Sequence, residues 1–240
     1  RDCVDFTDMS KGIPTSWIWT FEGAKPSGST NQNPSNICYD SSGIYTVKLI
    51  ASSNAGKDTI EKYTYIKVNK TPFVKITGTG NTELCKGDSI QLNVITESNV
   101  IYSWSPVAGI SDPNIANPIV SPIITTTYTV NILDTNGCKN FDSVIISVLD
   151  VQADAGKDTI ICFGDSIHLF ASGGLNYLWD PAWALSNPNV VNPIANPTGN
   201  ITYVVVVSSG SCSDTDSVII YVSTLPDINA GNDTSVCEGD

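Results

Sequence analysis

The chain repeats itself, and that limits what it can fold into more than any other feature. Residues 85–148 and 162–222 match segment by segment, in order. Cys85-Lys-Gly-Asp-Ser-Ile-Gln-Leu92 answers Cys162-Phe-Gly-Asp-Ser-Ile-His-Leu169, and Tyr102-Ser-Trp104-Ser-Pro106 answers Tyr177-Leu-Trp179-Asp-Pro181. Ser111-Asp-Pro-Asn-Ile-Ala-Asn-Pro118 answers Ser186-Asn-Pro-Asn-Val-Val-Asn-Pro193. Thr127-Tyr128-Thr-Val130 and Asp142-Ser-Val-Ile-Ile146 answer Thr202-Tyr203-Val-Val205 and Asp216-Ser-Val-Ile-Ile220. A third copy starts near Asp227, where Ala230-Gly-Asn-Asp-Thr234 and Cys237-Glu-Gly-Asp240 echo Ala155-Gly-Lys-Asp-Thr159 and Cys162-Phe-Gly-Asp165. A period of ~75 residues exceeds solenoid units and is that of small independent domains in tandem.

The copies also organise the seven cysteines. Matched spacing pairs Cys85 with Cys138 and Cys162 with Cys212. Cys237 is left without a partner by truncation, and Cys3 and Cys38 fall to the first domain. The competing reading is free buried thiols. Similar spacing in two copies favours disulfides and an oxidising compartment. With no CxxC pair present, zinc and redox-motif readings are weak. Arg1 is not followed by a charged-then-apolar leader, so we expect a segment of something longer.

Strand follows strand. Tyr45-Thr-Val47-Lys-Leu49, Ile90-Gln-Leu92-Asn-Val94 and Tyr128-Thr-Val130-Asn-Ile132 alternate apolar with polar, the period of a half-buried strand. Asn136-Gly137, Ser209-Gly210 and the Asn-Pro pairs supply turn chemistry between them. No helical stripe competes. The fold class is all-β, as tandem immunoglobulin-like β-sandwiches in an elongated array. Alternation puts Trp17, Trp19 and Phe21 on one face, with Trp104 and Trp179 at the equivalent core positions. Tyr45, Tyr128 and Tyr203 lie on a late strand of each unit. A sugar-stacking stripe is the alternative use of such aromatics; filling a core is the commoner one.

Composition then excludes function classes. There are 24 acids against 12 bases, a net charge of −12, and no basic cluster. Nucleic acid and anionic membrane are therefore poor partners. No apolar run reaches the ~18–20 residues that span a bilayer. The only imidazole, His168, sits in Ile167-His-Leu169 and points outward, with Gln91 in its place in the preceding copy. A catalytic base needs an orienting partner and a cleft, so no catalytic residue is assigned. The acids lie mostly at strand ends beside Gly or Ser, where turn and cap duty explains them. No cofactor is expected. Calcium is the one ion considered, at the domain junctions: Asp154 with Asp158, and Asp227 with Asp233, with Asp214 and Asp216 as a further pair. Against it, Thr77 and Asn81 stand where the second repeat has Asp154 and Asp158.

Two resemblances cover nearly the whole chain. Val4-Asp-Phe6-Thr-Asp8-Met-Ser10, Pro14-Thr-Ser-Trp17-Ile-Trp19-Thr-Phe21, Gln32-Asn-Pro34, Tyr39, Gly43-Ile-Tyr45-Thr-Val47-Lys-Leu49 and Tyr65-Ile-Lys-Val68 make residues 4–69 resemble a PKD domain. Its usual Trp-Asp-Phe-Gly-Asp segment is here Trp19-Thr-Phe21-Glu-Gly23. Residues 73–240 are similar to the tandem Ig-like repeats of giant secreted surface proteins of Bacteroidota, of the gliding-motility adhesin and type IX secretion cargo type. The resemblance implies a PKD-like sandwich at 1–69, a linker at 70–72, Ig-like repeats at 73–149 and 150–223, and the start of a third at 224–240. It also implies an extracellular, bacterial cell-surface location. The Asp-(Ser/Thr)-aliphatic pattern is similar to the O-glycosylation sequon of that phylum and marks Thr59, Ser89, Ser143, Thr159, Ser166 and Ser217. The alternative is that Asp-Ser merely opens a strand after a turn, multiplied by repetition.

These readings converge on a non-catalytic structural or adhesion segment, a stalk or fibre. Its partners are neighbouring repeats, and surface polysaccharide or other protein chains of a fibre. The alternative is a carbohydrate- or protein-binding accessory region of a secreted enzyme, with the loop from Phe21 to Pro34 supplying contacts.

Overall fold

A computed structural model describes residues 3–78, 82–97, 99–233, 235 and 238–239. Three separate cores organise them, each enclosed by mainly antiparallel strands whose buried residues alternate with exposed ones.

The first unit contains β1 (Cys3–Val4), β2 (Ser16–Phe21), β3 (Ala24–Lys25), β4 (Gly28–Ser29), β5 (Ile37–Tyr39), β6 (Gly43–Ser53) and β7 (Gly56–Val68). A β1-β5-β3 sheet and a β4-β2-β6-β7 sheet enclose Phe6, Trp19, Phe21, Ile37, Val47 and Leu49. Phe6 and Phe21 meet at 4.6 Å between ring centroids. Trp17 packs at the margin of this core and donates from Nε1 to Asp8 Oδ2 at 2.7 Å.

The second unit contains β8 (Val74–Thr77), β9 (Glu83–Cys85), β10 (Ile90–Gln91), β11 (Asn93–Thr96), β12 (Val100–Ser105), β13 (Ile119–Val120), β14 (Thr126–Asp134) and β15 (Lys139–Leu149). The third contains β16 (Thr159–Cys162), β17 (Ile167–His168), β18 (Asn176–Asp180), β19 (Ile194–Ala195), β20 (Ile201–Ser209) and β21 (Cys212–Ser223). The same four-stranded sheet recurs in both: β12-β14-β15-β9 and β18-β20-β21-β16. In each, one strand runs parallel to the last strand. Cys85 stands opposite Leu149, and Cys162 opposite Ser223. Opposing it are β10 with β13 and β17 with β19.

Trp104 and Trp179 are each 1% exposed at the centres of these two cores. Both satisfy their indole N–H on a loop carbonyl, Ile115 O at 2.9 Å and Val190 O at 3.1 Å. Tyr128 and Tyr203 are fully buried, and their hydroxyls donate to Ala108 O and Trp183 O. Tyr45 instead donates to Ser41 O, four residues back, in the manner of a tyrosine corner. Tandem immunoglobulin-like sandwiches are the architecture. Residues 224–233 carry no strand. Asn81, Thr234 and Cys237 lie outside the described residues.

The first unit differs from its neighbours at one sheet edge. β7 is the last strand, and nothing among the described residues pairs with its outer side. In the repeats, β9 and β16 pair with the last strand, and Val74, Ile76 and Leu84, like Val151, Ala153, Ala155 and Ile161, pack on the core. On β7, Ile60 is 52% exposed and Tyr65 is 49% exposed, whereas Val218 and Ile220 on β21 are 3% and 0% exposed.

Candidate functional site: the junction between repeats

The parallel pairing of the early strand with the last strand decides where the cysteines go. It carries Cys85 to the end of β15 and Cys162 to the end of β21. Cys138 and Cys212 lie at the other end of those same strands, just before or at their first residue. Along ~11 residues of extended chain the two ends are ~36 Å apart. A disulfide needs Cα atoms ~5.5 Å apart. Bonds from Cys85 to Cys138, and from Cys162 to Cys212, are therefore excluded by strand direction, and the pairing expected from the repeat spacing is corrected.

Cys85 is instead bonded to Cys212 of the following repeat, with Cα atoms 5.5 Å apart and a sequence separation of 127. The far end of one sandwich is clamped to the near-end hairpin of the next. Cys3 and Cys38 are bonded within the first unit, where β1 and β5 place them directly opposite each other.

Around the Cys85–Cys212 bond the fit is close. The β20–β21 hairpin turns at Gly210, whose φ is 56°. A Cβ there would run into the Glu83 carboxylate and stand 3.0 Å from Leu149 Cδ1, both in the preceding repeat. Lys86 closes the base of the junction. Its backbone N–H donates to Leu149 O at 2.8 Å, and its Nζ reaches Asp150 Oδ2 at 2.6 Å. The Lys86 ammonium holds the Asp150 carboxyl below the usual carboxylate range, with Gln152 Nε2 as a further donor.

Four of the acids weighed as calcium ligands, Asp154, Asp158, Asp214 and Asp216, accept backbone N–H groups. Asp216 Oδ2 accepts Ala155 N at 2.8 Å, and Asp214 Oδ2 accepts Ala153 N at 2.9 Å. Asp142 Oδ2 accepts Ile76 N in the same way at 2.8 Å. These carboxylates tie the segment that enters each repeat to its last strand. The backbone N–H of Ala155, then that of Ser217, holds the Asp216 carboxyl below its ordinary value. Asp158 Oδ1 accepts Ile219 N, and Asp154 Oδ1 accepts Gly156 N within a turn. Asp227 and Asp233 are exposed. Among the described residues no three His, Cys, Asp or Glu side chains gather as a metal site. The anchoring role of Asp142 and Asp216 was missed in the sequence. The signal was present as one acid at the same place in both copies, but its partners lie over 60 residues away.

His168 is exposed on β17, with Phe170 as its ring neighbour at 6.3 Å. Among the described residues no hydrogen bond or ion pair joins it to an acid. Of the hydroxyls in the Asp-(Ser/Thr)-aliphatic pattern, Thr59, Ser89, Ser143, Ser166 and Ser217 are exposed and Thr159 is half-buried. A groove of about 1010 Å³ lies on the first unit, between the chain at Val4–Pro14 and the β6–β7 hairpin. Phe6, Met9, Trp19, Leu49, Ile60 and Tyr65 contribute to it. The loop from Phe21 to Pro34 does not line it.

No family model matches this chain, and no curated protein matches it. Solved structures do. Three N-terminal domains of the Highly Immunogenic Outer Capsid protein of bacteriophage RB49 align at 11% identity over 93% of this chain and 98% of that one, with a TM-score of 0.43. A three-immunoglobulin-domain fragment of titin aligns at 12% identity over 89% and 90%, with a TM-score of 0.45. Extracellular domains 3–5 of Drosophila OTK align at 12% identity over 93% and 92%, with a TM-score of 0.40.

Proposed function

We propose that this chain is a non-catalytic spacer, a stalk or fibre segment of a large protein on a bacterial cell surface. In this reading a PKD-like sandwich at 1–69 is joined through 70–72 to Ig-like repeats at 73–149 and 150–223, and 224–240 opens a third. Its kinship is with the giant secreted surface proteins of Bacteroidota, and the exposed Asp-(Ser/Thr) hydroxyls are its O-glycosylation sites. The observation that carries the reading is the Cys85–Cys212 bond. A covalent clamp between neighbours fixes how one sandwich follows the next, which a load-bearing spacer needs and a reactor does not. Two disulfides suit an oxidising, extracellular setting. A net charge of −12 keeps such arrays soluble.

Small-angle scattering on the oxidised full chain tests this. A compact globule of this length has a radius of gyration of about 18 Å. Three sandwiches of ~35 Å laid end to end give a radius of gyration near ~30 Å. The compact value would overturn the spacer reading.

The groove on the first unit favours a second reading, in which that sandwich grips polysaccharide or protein. A glycan array distinguishes them: the full chain binds a glycan and Met9→Ala with Tyr65→Ala, both exposed in the groove, abolishes binding, or the array stays blank and the spacer reading stands alone.

A further inference from the structure

Cys162 repeats the situation of Cys85 in every local respect. Both end the strand that runs parallel to the last strand of their repeat, opposite Leu149 and Ser223. Both are followed by the same turn: Asp88 N donates to Cys85 O at 2.9 Å, and Asp165 N donates to Cys162 O at 3.0 Å. The glycines between them, Gly87 and Gly164, have φ of 96° and 90°. The next residue closes on the end of the last strand in both copies, Lys86 N to Leu149 O and Phe163 N to Ser223 O. One difference remains. Cys85 carries the hairpin cysteine of the repeat that follows it, and Cys162 is an exposed thiol at the far end of its own repeat.

We propose that Cys162 bonds the hairpin cysteine of the repeat that comes after it, so that Cys85–Cys212 is one rung of a recurring pattern. In this pattern the early-strand cysteine of each repeat is joined to the cysteine at the start of the last strand in the next. The Cys212 position supplies the chemistry: a thiol at the base of a two-residue Gly-Ser turn, brought against the sandwich before it. The proposal rests on the tandem-spacer reading and sharpens it, since it makes the clamp periodic. Bond formation is thiol–disulfide exchange with a small-molecule disulfide such as oxidised glutathione. The Cys162 thiolate attacks that disulfide and releases one glutathione thiolate. The hairpin thiolate then displaces the second glutathione. Two protein thiols become one disulfide, and one oxidised glutathione becomes two reduced molecules.

The test extends the full chain by one repeat, inserting a second copy of residues 150–223 after Ser223. The protein is refolded in a glutathione redox buffer, and free thiols are alkylated before unfolding. Peptides are then mapped without reduction. The proposal expects a peptide joining Cys162 to the hairpin cysteine of the inserted copy. It also expects alkylation of Cys162 to fall at least about tenfold relative to the 240-residue chain. Serine at the inserted hairpin cysteine restores that alkylation. The Cys85–Cys212 peptide in the same digest reports that folding and oxidation succeeded. If that peptide is present while Cys162 stays alkylated, or is bonded within its own repeat, the proposal fails. This outcome is separate from the scattering result, because rungs are mapped whatever the radius of gyration.

Discussion

Cys85 and Cys212 belong to different sandwiches, yet their Cα atoms are 5.5 Å apart and their sulfurs are bonded. The turn that delivers Cys212 is packed tightly enough to depend on glycine. Gly210→Ala forces a side chain onto Glu83 and Leu149 at a φ of 56°. Gly137, in the equivalent hairpin of the preceding repeat, has φ of 83° and open space around it. Gly137→Ala should therefore cost about 1 kcal/mol of backbone strain alone. Gly210→Ala should cost at least twice that and make the Cys85–Cys212 bond more easily reduced. Melting curves and dithiothreitol titrations of the two variants check it; equal effects would argue against a packed junction.

The three core tryptophans should respond differently to substitution. Trp104 and Trp179 each place Nε1 on a carbonyl, whereas the buried Nε1 of Trp19 has no acceptor among the described residues. Phenylalanine at 104 or 179 loses volume and strands a loop carbonyl; at 19 it loses volume and removes an unsatisfied donor. We expect Trp19→Phe to be milder by about 1–2 kcal/mol. Urea titrations of the three variants, followed by circular dichroism, measure the difference.

Asp142 and Asp216 anchor the entering segments of their repeats. Asn at either position keeps the shape but weakens a charge-assisted hydrogen bond to Ile76 or Ala155. A loss of about 1 kcal/mol is expected for each. Hydrogen exchange should report it at those amides first; unchanged protection there would contradict the anchoring role.

Acid should destabilise the chain for a related reason. The Asp150 carboxyl is lowered by Lys86, and the Asp216 carboxyl by the N–H of Ala155. At Asp8 and Asp134 desolvation is the largest single influence and pushes the carboxyl up, but the hydrogen bonds together outweigh it, from Ser10, Trp17 and Gln32 at Asp8 and from Cys138, Asn136 and Gly137 at Asp134. All four are lower folded than unfolded. Their stabilisation is complete above the ordinary carboxylate value and is lost as pH falls through the folded values. In ~0.5 M salt, which screens net charge, Tm should be level from pH 7 to about 5 and drop below about 4. A Tm that rises on acidification below pH 4 would show that these bonds contribute nothing.

Much of this was legible in the sequence, because alternation is local. Trp104, Tyr128, Trp179 and Tyr203 are buried where a period of two places them. The bonding of Cys85 was not legible. The spacing from Cys85 to Cys138 matches that from Cys162 to Cys212 as closely for bonds between repeats as for bonds within them. Only the direction of β9 against β15 separates the two ends. The anchors at Asp142 and Asp216 were hidden for the same reason: their partners are set by how sheets stack, not by neighbours in the chain. Nor does any local pattern around Ile60 or Tyr65 announce that, among the described residues, the outer side of β7 lacks the strand its counterparts have.

The central claim, that neighbouring sandwiches form one covalently coupled spacer, meets its most direct test in force spectroscopy on the full chain held at both ends. Load entering at Cys85 passes through the disulfide to Cys212 and bypasses the 127-residue interval between them. At ~3.6 Å per extended residue the Cys85–Cys212 bond should withhold ~45 nm of extension and the Cys3–Cys38 bond, closing 35 residues, a further ~13 nm, and both increments appear once dithiothreitol is added. Recovery of the shorter increment alone would contradict the account.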